Sequence, residues 1–255
     1  EIPSETPLTE SVELNELSET LSPLEMDMIT AFPSPPLNDT DDVLMIGAET
    51  GSGKTLAYLL PYIEVCKEYP DFPAKAIIMV PSRELCAQVA RQLGTYFPNA
   101  PTHLVLAGGM PPDVSDIRAV RIVIATPAAL LNYFRFSTQP DCNDKFIVVD
   151  EADMLLSGSF LKQVGDVLNQ PGMKPFATRK NQSERAINRN RLVFVGATYP
   201  HWAGDKVKSI VTWMKKRYPS IQTLQTEDIH KRSSRISESW HYLPTEEQRF
   251  KELSR

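Results

Sequence analysis

Residues 48–55 read Ala-Glu-Thr-Gly-Ser-Gly-Lys-Thr, and Asp150-Glu151-Ala152-Asp153 directly follows the apolar run Phe146-Ile147-Val148-Val149. The chemistry of the two segments is complementary. Glycines at 51 and 53 let backbone N–H groups turn inward and approach an anion closely. In such a loop Lys54 reaches the β- and γ-phosphates of a nucleotide, and Thr55 offers its hydroxyl to Mg²⁺. A helix starting near Lys54 adds its positive end. Ala48, Glu49, Thr50, Gly51, Ser52, Gly53, Lys54 and Thr55 therefore form the candidate nucleotide-binding set. Ala48 stands where the strict loop pattern has glycine. Asp150 is placed to hold Mg²⁺ together with Thr55, directly or through water. Glu151 is placed to orient or deprotonate an attacking water. Each segment alone has a plainer explanation, a glycine turn before a surface helix and a solvated acidic turn. Together they specify nucleoside-triphosphate chemistry.

The elements that must position these residues are legible from periodicity. Val43-Leu44-Met45-Ile46 is short, apolar and suited to a buried strand leading into the loop. Strands are predicted at 43–47, 76–80, 103–107, 121–125, 146–149, 192–195 and 221–225. Helices fit between them at 54–68, 82–97, 127–135, 159–169 and 203–217. This alternation predicts an α/β fold, a mostly parallel sheet with helices on both faces. In such sheets ligands bind beyond the carboxyl ends of the strands, where both acidic turn and glycine loop fall. Residues 172–191 are polar and read as a loop. No internal repeat is present.

Composition sets the class. The chain has 255 residues, 42% of them hydrophobic, as in an ordinary globular protein, and no apolar run is long enough to span a membrane. Cys66, Cys86 and Cys142 lack metal spacing. Cys66 and Cys86 lie in apolar helix patterns and read as buried thiols. Charge is uneven. Residues 1–53 hold twelve acidic side chains and no Lys, Arg or His; residues 54–255 carry all 27 basic and the other 20 acidic ones, a net of +7. A basic body behind an acidic leader suits a polyanionic partner.

Across residues 22–226 the chain resembles the first RecA-like domain of a DEAD-box ATP-dependent RNA helicase. The resemblance rests on the two segments above and on further ones in the family's order. Pro81-Ser82-Arg83-Glu84-Leu85 resembles its Pro-Thr-Arg-Glu-Leu segment, and Gly108-Gly109 its paired glycines. Ala125-Thr126-Pro127 resembles the start of its Thr-Pro-Gly-Arg segment, and Gly196-Ala197-Thr198 its Ser-Ala-Thr coupling segment. The resemblance implies a RecA-like P-loop domain using ATP and Mg²⁺. It implies RNA backbone contacts from Pro81, Ser82, Arg83, Gly108, Gly109, Thr126 and Pro127. It adds Asp153 and Thr198 to Lys54 and Glu151 as catalytic residues. Glu25 stands at the position of the glutamine that reads adenine, but a carboxylate only accepts hydrogen bonds. Ala128 and Ala129 replace the family's Gly-Arg, and Gly196 replaces its serine.

The expected organisation is an acidic arm or docking segment at 1–20 and the ATP-binding domain at 21–230. Residues 231–255 are expected to be a linker and the start of a second RecA-like domain that this chain does not include. Asp150 to Phe160, Gly196 to Pro200 and Ser237 to Trp240 resemble organellar members, the last two those linked to the mitochondrial large ribosomal subunit. The implied function is ATP-dependent remodelling of RNA, in particular rRNA, with ribosomal precursor proteins or assembly factors as partners, in the mitochondrion. Another organelle, the nucleolus or the cytoplasm is the alternative location. No membrane partner or homo-oligomer is expected. A catalytically weak docking factor of the same family is the alternative function, favoured by Glu25, Ala128, Ala129 and Gly196.

Overall fold

A computed structural model describes residues 43–68, 75–108, 120–136, 145–173, 190–199 and 210–226, with isolated positions beyond. Its strands are β1 (Val43–Gly47), β2 (Lys75–Met79), β3 (His103–Leu106), β4 (Ile122–Ala125), β5 (Lys145–Val149), β6 (Arg191–Gly196) and β7 (Gln222–Gln225). The helices among the described residues are α1 (Lys54–Glu68), α2 (Arg83–Tyr96), α3 (Pro127–Phe136), α4 (Ala152–Leu155), α5 (Gly158–Leu168) and α6 (Ile210–Arg217). The seven strands form one sheet in the order β3-β4-β2-β5-β6-β1-β7. All its ladders are parallel. The fold is RecA-like α/β.

Alternation along the central strands explains the two layers. Val43 and Met45 of β1 and Ile147 and Val149 of β5 pack on one face, with Leu130 of α3, Leu155 of α4, Val164 of α5 and Met214 of α6. Leu44 and Ile46 of β1 and Phe146 and Val148 of β5 pack on the other, with Tyr58 and Ile63 of α1 and Cys86 and Leu93 of α2. A strand covered on both sides has no polar face, which is why β1 and β5 are continuously apolar. The predicted strands and helices recur with their ends moved by a residue or so. Of the helix expected at 203–217, residues 210–217 are described. α4 is an addition: four residues are too few to show a helical period.

Pro61 lies inside α1 without ending it. Its ring removes one backbone donor from the helical ladder. Burial of Tyr58, Leu59, Tyr62 and Ile63 on both sides of it holds the helix to the sheet.

The order of strands has a consequence for function. Among the described residues, the glycine loop, the acidic turn and the segments at 81–85, 108, 126–127 and 197–198 each follow a strand at its carboxyl end, so they lie along one edge of the sheet. β5, β6 and β1 are neighbours, which gathers the acidic turn, the segment after Gly196 and the glycine loop. β3, β4 and β2 are neighbours on the other half, which gathers Gly108, Thr126 and Arg83.

Candidate nucleotide site and nucleic-acid interface

The glycine loop is closed on itself. Gly51 and Gly53 have φ of 86° and 87°, which side-chain-bearing residues rarely adopt. That geometry folds the loop so that Lys54 Nζ donates to the carbonyls of Ala48 and Glu49, both at 2.9 Å. The Ala48 N–H donates to the Gly196 carbonyl at 3.2 Å. Ser52 Oγ is buried without a partner among the described residues. The Glu49 carboxylate accepts from Thr226 Oγ1 at 2.6 Å, and Thr226 N–H donates to the Gly47 carbonyl at 3.0 Å. These two bonds fasten the end of β1 and the start of the loop to the exit of β7. Thr55 follows Lys54 in the first turn of α1.

The acidic turn begins where β5 ends. Asp150 N–H donates to the Met79 carbonyl at 2.9 Å, which extends the sheet by one bond. Asp150 is 7% exposed, and both carboxylate oxygens are engaged. Oδ1 accepts from Glu151 N–H at 2.8 Å and Oδ2 from the Tyr58 hydroxyl at 2.9 Å. Burial pushes its pKa up from the carboxylate range to about 6, despite those hydrogen bonds and the Lys54 charge. Tyr58 lies one helical turn beyond Lys54, so α1 sends both residues to the same site. Its hydroxyl is held protonated, first by burial and then by the Asp150 charge.

Glu151 is the one described non-glycine residue with positive φ, 52° with ψ 46°. A side chain in the left-handed region is a strained arrangement of the kind found at functional sites. It turns the chain sharply from β5 into α4. Within α4, Asp153 Oδ2 accepts from the Thr198 N–H at 3.1 Å and from its hydroxyl at 2.7 Å. The acidic turn is thereby joined to the segment after β6. The sequence set Lys54, Thr55, Asp150, Glu151, Asp153 and Thr198 is thus brought to one region, with Ala48 to Gly53 beside it. Sequence reasoning passed over Tyr58 and the Glu49–Thr226 contact.

The second group gathers on the other half of the edge. Ser82 caps α2, its Oγ accepting from Leu85 N–H at 3.3 Å. Pro81 is buried and Arg83 exposed. Gly108 has φ of 95°, and a Cβ added there would lie 3.1 Å from Arg83 Cζ. The guanidinium thus lies against the Gly108 backbone. Thr126 Oγ1 accepts from Ala129 N–H at 3.4 Å, and Pro127 takes the first position of α3. Ala128 is exposed, and Ala129 packs against the core. Glu25, Gly109 and Cys142 lie outside the described residues.

A family model for the DEAD/DEAH box helicase matches residues 30–206. The chain belongs to the DEAD/DEAH box helicase family. Curated relatives agree. "Probable ATP-dependent RNA helicase DDX59" of Homo sapiens is 37% identical over 152 residues, covering 58% of this chain and 23% of the relative. "Probable ATP-dependent RNA helicase DDX28" of Mus musculus is 31% identical over 202 residues, covering 73% of this chain and 36% of the relative. Among solved structures, a DEAD box protein from the hyperthermophile Methanococcus jannaschii superposes with a TM-score of 0.63 at 26% identity. That match covers 88% of this chain and 55% of the other. This DEAD-box chain therefore spans well under half the length of those two curated relatives. The family expectation of a RecA-like domain is met in the sheet order, the glycine loop and the acidic turn described above.

The donor set fits a nucleotide triphosphate with a divalent cation. Ser52, whose buried hydroxyl has no partner among the described residues, Lys54, parked on backbone carbonyls, and the start of α1 lie together at the end of the loop, and a helix start favours an anion. Two carboxylates and the Thr55 hydroxyl are oxygen donors of the kind Mg²⁺ takes.

Proposed function

We propose that this chain is the ATP-binding domain of an RNA-remodelling ATPase. The supporting observation is Lys54 held in the closed glycine loop while Asp150 and Glu151 directly follow the strand two places away in the same sheet. In this reading the backbone of residues 50–55 cradles the phosphates, and Lys54 leaves the Ala48 and Glu49 carbonyls for phosphate oxygens. Thr55 and Asp150 hold the cation, which supplies charge neutralisation at the transferring phosphoryl group. Glu151 orients the attacking water and takes its proton. Asp153 and Thr198 tie that turn to the end of β6. Pro81, Ser82, Arg83, Gly108, Gly109, Thr126 and Pro127 grip RNA through its backbone, a contact that positions without reading sequence.

Calorimetry tests the assignment. Lys54→Ala removes two charge-assisted contacts of ~1.5–3 kcal/mol each, so ATP binding is expected to weaken at least ~10-fold. Unchanged affinity would move the site elsewhere.

The finer reading is a mitochondrial factor for large ribosomal subunit assembly. It rests on the short resemblances at 150–160, 196–200 and 237–240. Residues 1–20 are proposed as a protein-docking arm, since their acidic character repels RNA. Residues 21–230 are proposed as the domain proper, with 231–255 as a linker toward a second RecA-like domain. Glu25, Ala128, Ala129 and Gly196 favour the second reading, a docking factor with weak hydrolysis. Steady-state ATPase rates with and without RNA separate the two. RNA-stimulated turnover supports the enzyme, and ATP binding without turnover supports the docking factor.

A further inference from the structure

Gly196 ends β6 at a place where three segments meet. Its carbonyl holds the glycine loop through Ala48 N–H. A Cβ built on it would lie 3.5 Å from Asp153 N in the acidic turn, and 3.1 Å from both Cζ and Oη of Tyr199. A side chain at 196 would therefore be crowded by the tip of a phenol from three residues further along, which would have to give by a few tenths of an ångström. Tyr199 is fully buried. Its hydroxyl has no partner among the described residues. Buried hydroxyls are seldom left that way, and one that is calls for a reason.

The surroundings supply one. Burial and then the charges of Asp153, Asp150 and Glu151 raise the Tyr199 pKa well above its ordinary value. The phenol thus stays protonated, and its hydroxyl lies against Gly196, beside the backbone of the acidic turn. Thr198, its chain neighbour, already donates twice to Asp153. The two residues approach the acidic turn side by side.

We infer that Gly196 and Tyr199 are a compensating pair: the Tyr199 hydroxyl is a positioning donor for the acidic turn and stands where a side chain at 196 would otherwise project. Its acceptor is an oxygen of that turn, or of a water held on it, that comes within reach when the site is loaded. Glycine is favoured at 196 because the tyrosine crowds its side-chain space. The inference rests on the ATP reading above.

Four variants of the full chain test it: Tyr199→Phe, Tyr199→Leu, Gly196→Ser, and Gly196→Ser combined with Tyr199→Leu. Each is melted without nucleotide and titrated with Mg²⁺ and a non-hydrolysable ATP analogue. Tyr199→Phe keeps the ring and loses an unpartnered hydroxyl, so it is expected to melt at or above wild type. It should bind the analogue about fivefold more weakly, the scale of one net hydrogen bond. Gly196→Ser alone should melt lower, because its Cβ meets the buried ring. The double variant should melt above Gly196→Ser, and its serine hydroxyl should bring affinity back to within about twofold of wild type. Wild-type affinity in Tyr199→Phe overturns the inference. So does a Tyr199→Phe protein that melts well below wild type, since the hydroxyl would then already have a stabilising partner in the unloaded fold. If wild type itself binds no analogue, the ATP reading fails and the positioning role falls with it.

Discussion

Asp150 sets stability against chemistry at a single residue. Burial lifts its pKa to about 6, while Glu151 N–H, Tyr58 and Lys54 oppose the rise and the Glu151 charge adds to it. A raised carboxylate pKa means that the folded chain binds the proton more tightly than the unfolded one. The stabilisation that proton brings is complete below roughly pH 4, the unfolded value. It is lost as pH rises through about 6. Asp150→Asn can keep both contacts, its amide oxygen accepting from Glu151 N–H and its NH₂ donating to Tyr58. Without Mg²⁺, scanning calorimetry at pH 7 is expected to find this variant melting ~2–8 °C above wild type. Its melting should also lack the wild-type decline between pH 4 and 6. Equal melting at pH 7 would mean that the charge carries no folding cost. Glu151→Gln keeps shape and loses the base. ATP affinity should persist while single-turnover hydrolysis slows ~100-fold, and an unchanged rate would take Glu151 out of the mechanism. Residue types and spacing made the glycine loop and the acidic pair legible. They could not reveal Tyr58, because a tyrosine in an apolar helix reads as core and its acceptor lies 92 positions away. The left-handed turn at Glu151 was equally hidden, since nothing in a glutamate foretells positive φ.

Among elements, alternation of apolar strands and amphipathic helices foretold the parallel sheet and its two covered faces. Lateral order was another matter. β1 lies between β6 and β7, and β2 between β4 and β5. These pairings join segments far apart in the chain, and hydrophobic period carries no information about them. Yet they decide that the acidic turn meets the glycine loop while Arg83 meets Gly108. α4 shows the other blind spot. It is four residues long, with Leu155 fully buried as its anchor in the core under β5 and β6. Leu155→Ala should cost about 2–5 kcal/mol in denaturant unfolding. A loss well under 1 kcal/mol would show that α4 is held by its backbone bonds alone.

For the whole molecule, the charge pattern divides the labour. The body after residue 53 is net positive and the leader before it is purely acidic. Backbone-gripping contacts add a salt slope of about 0.7 per phosphate on single-stranded nucleic acid. Arg83→Ala is therefore expected to lower the slope of log K against log salt by about 0.7, measured by anisotropy on a short single-stranded RNA. An identical slope would remove Arg83 from the interface. Among the described residues no helix is long and apolar enough to cross a membrane. The family match, residues 30–206, covers the glycine loop, the acidic turn and the other motif segments up to Thr198, whereas Glu25 and the proposed arm at 1–20 lie before it.

The clasp between Thr226 and Glu49 has a mechanical meaning. Parallel strands loaded along their axis share force across a whole ladder, but the exit of β7 is held at one point by two bonds, one to the end of β1 at Gly47 and one to Glu49 in the loop. Tension on the chain beyond residue 226 would reach residues 47 and 49 before it reached the interior strands. Any body tethered past that point could thus pull on the loop as a lever pulls on its pin, with the rest of the sheet as the fixed frame.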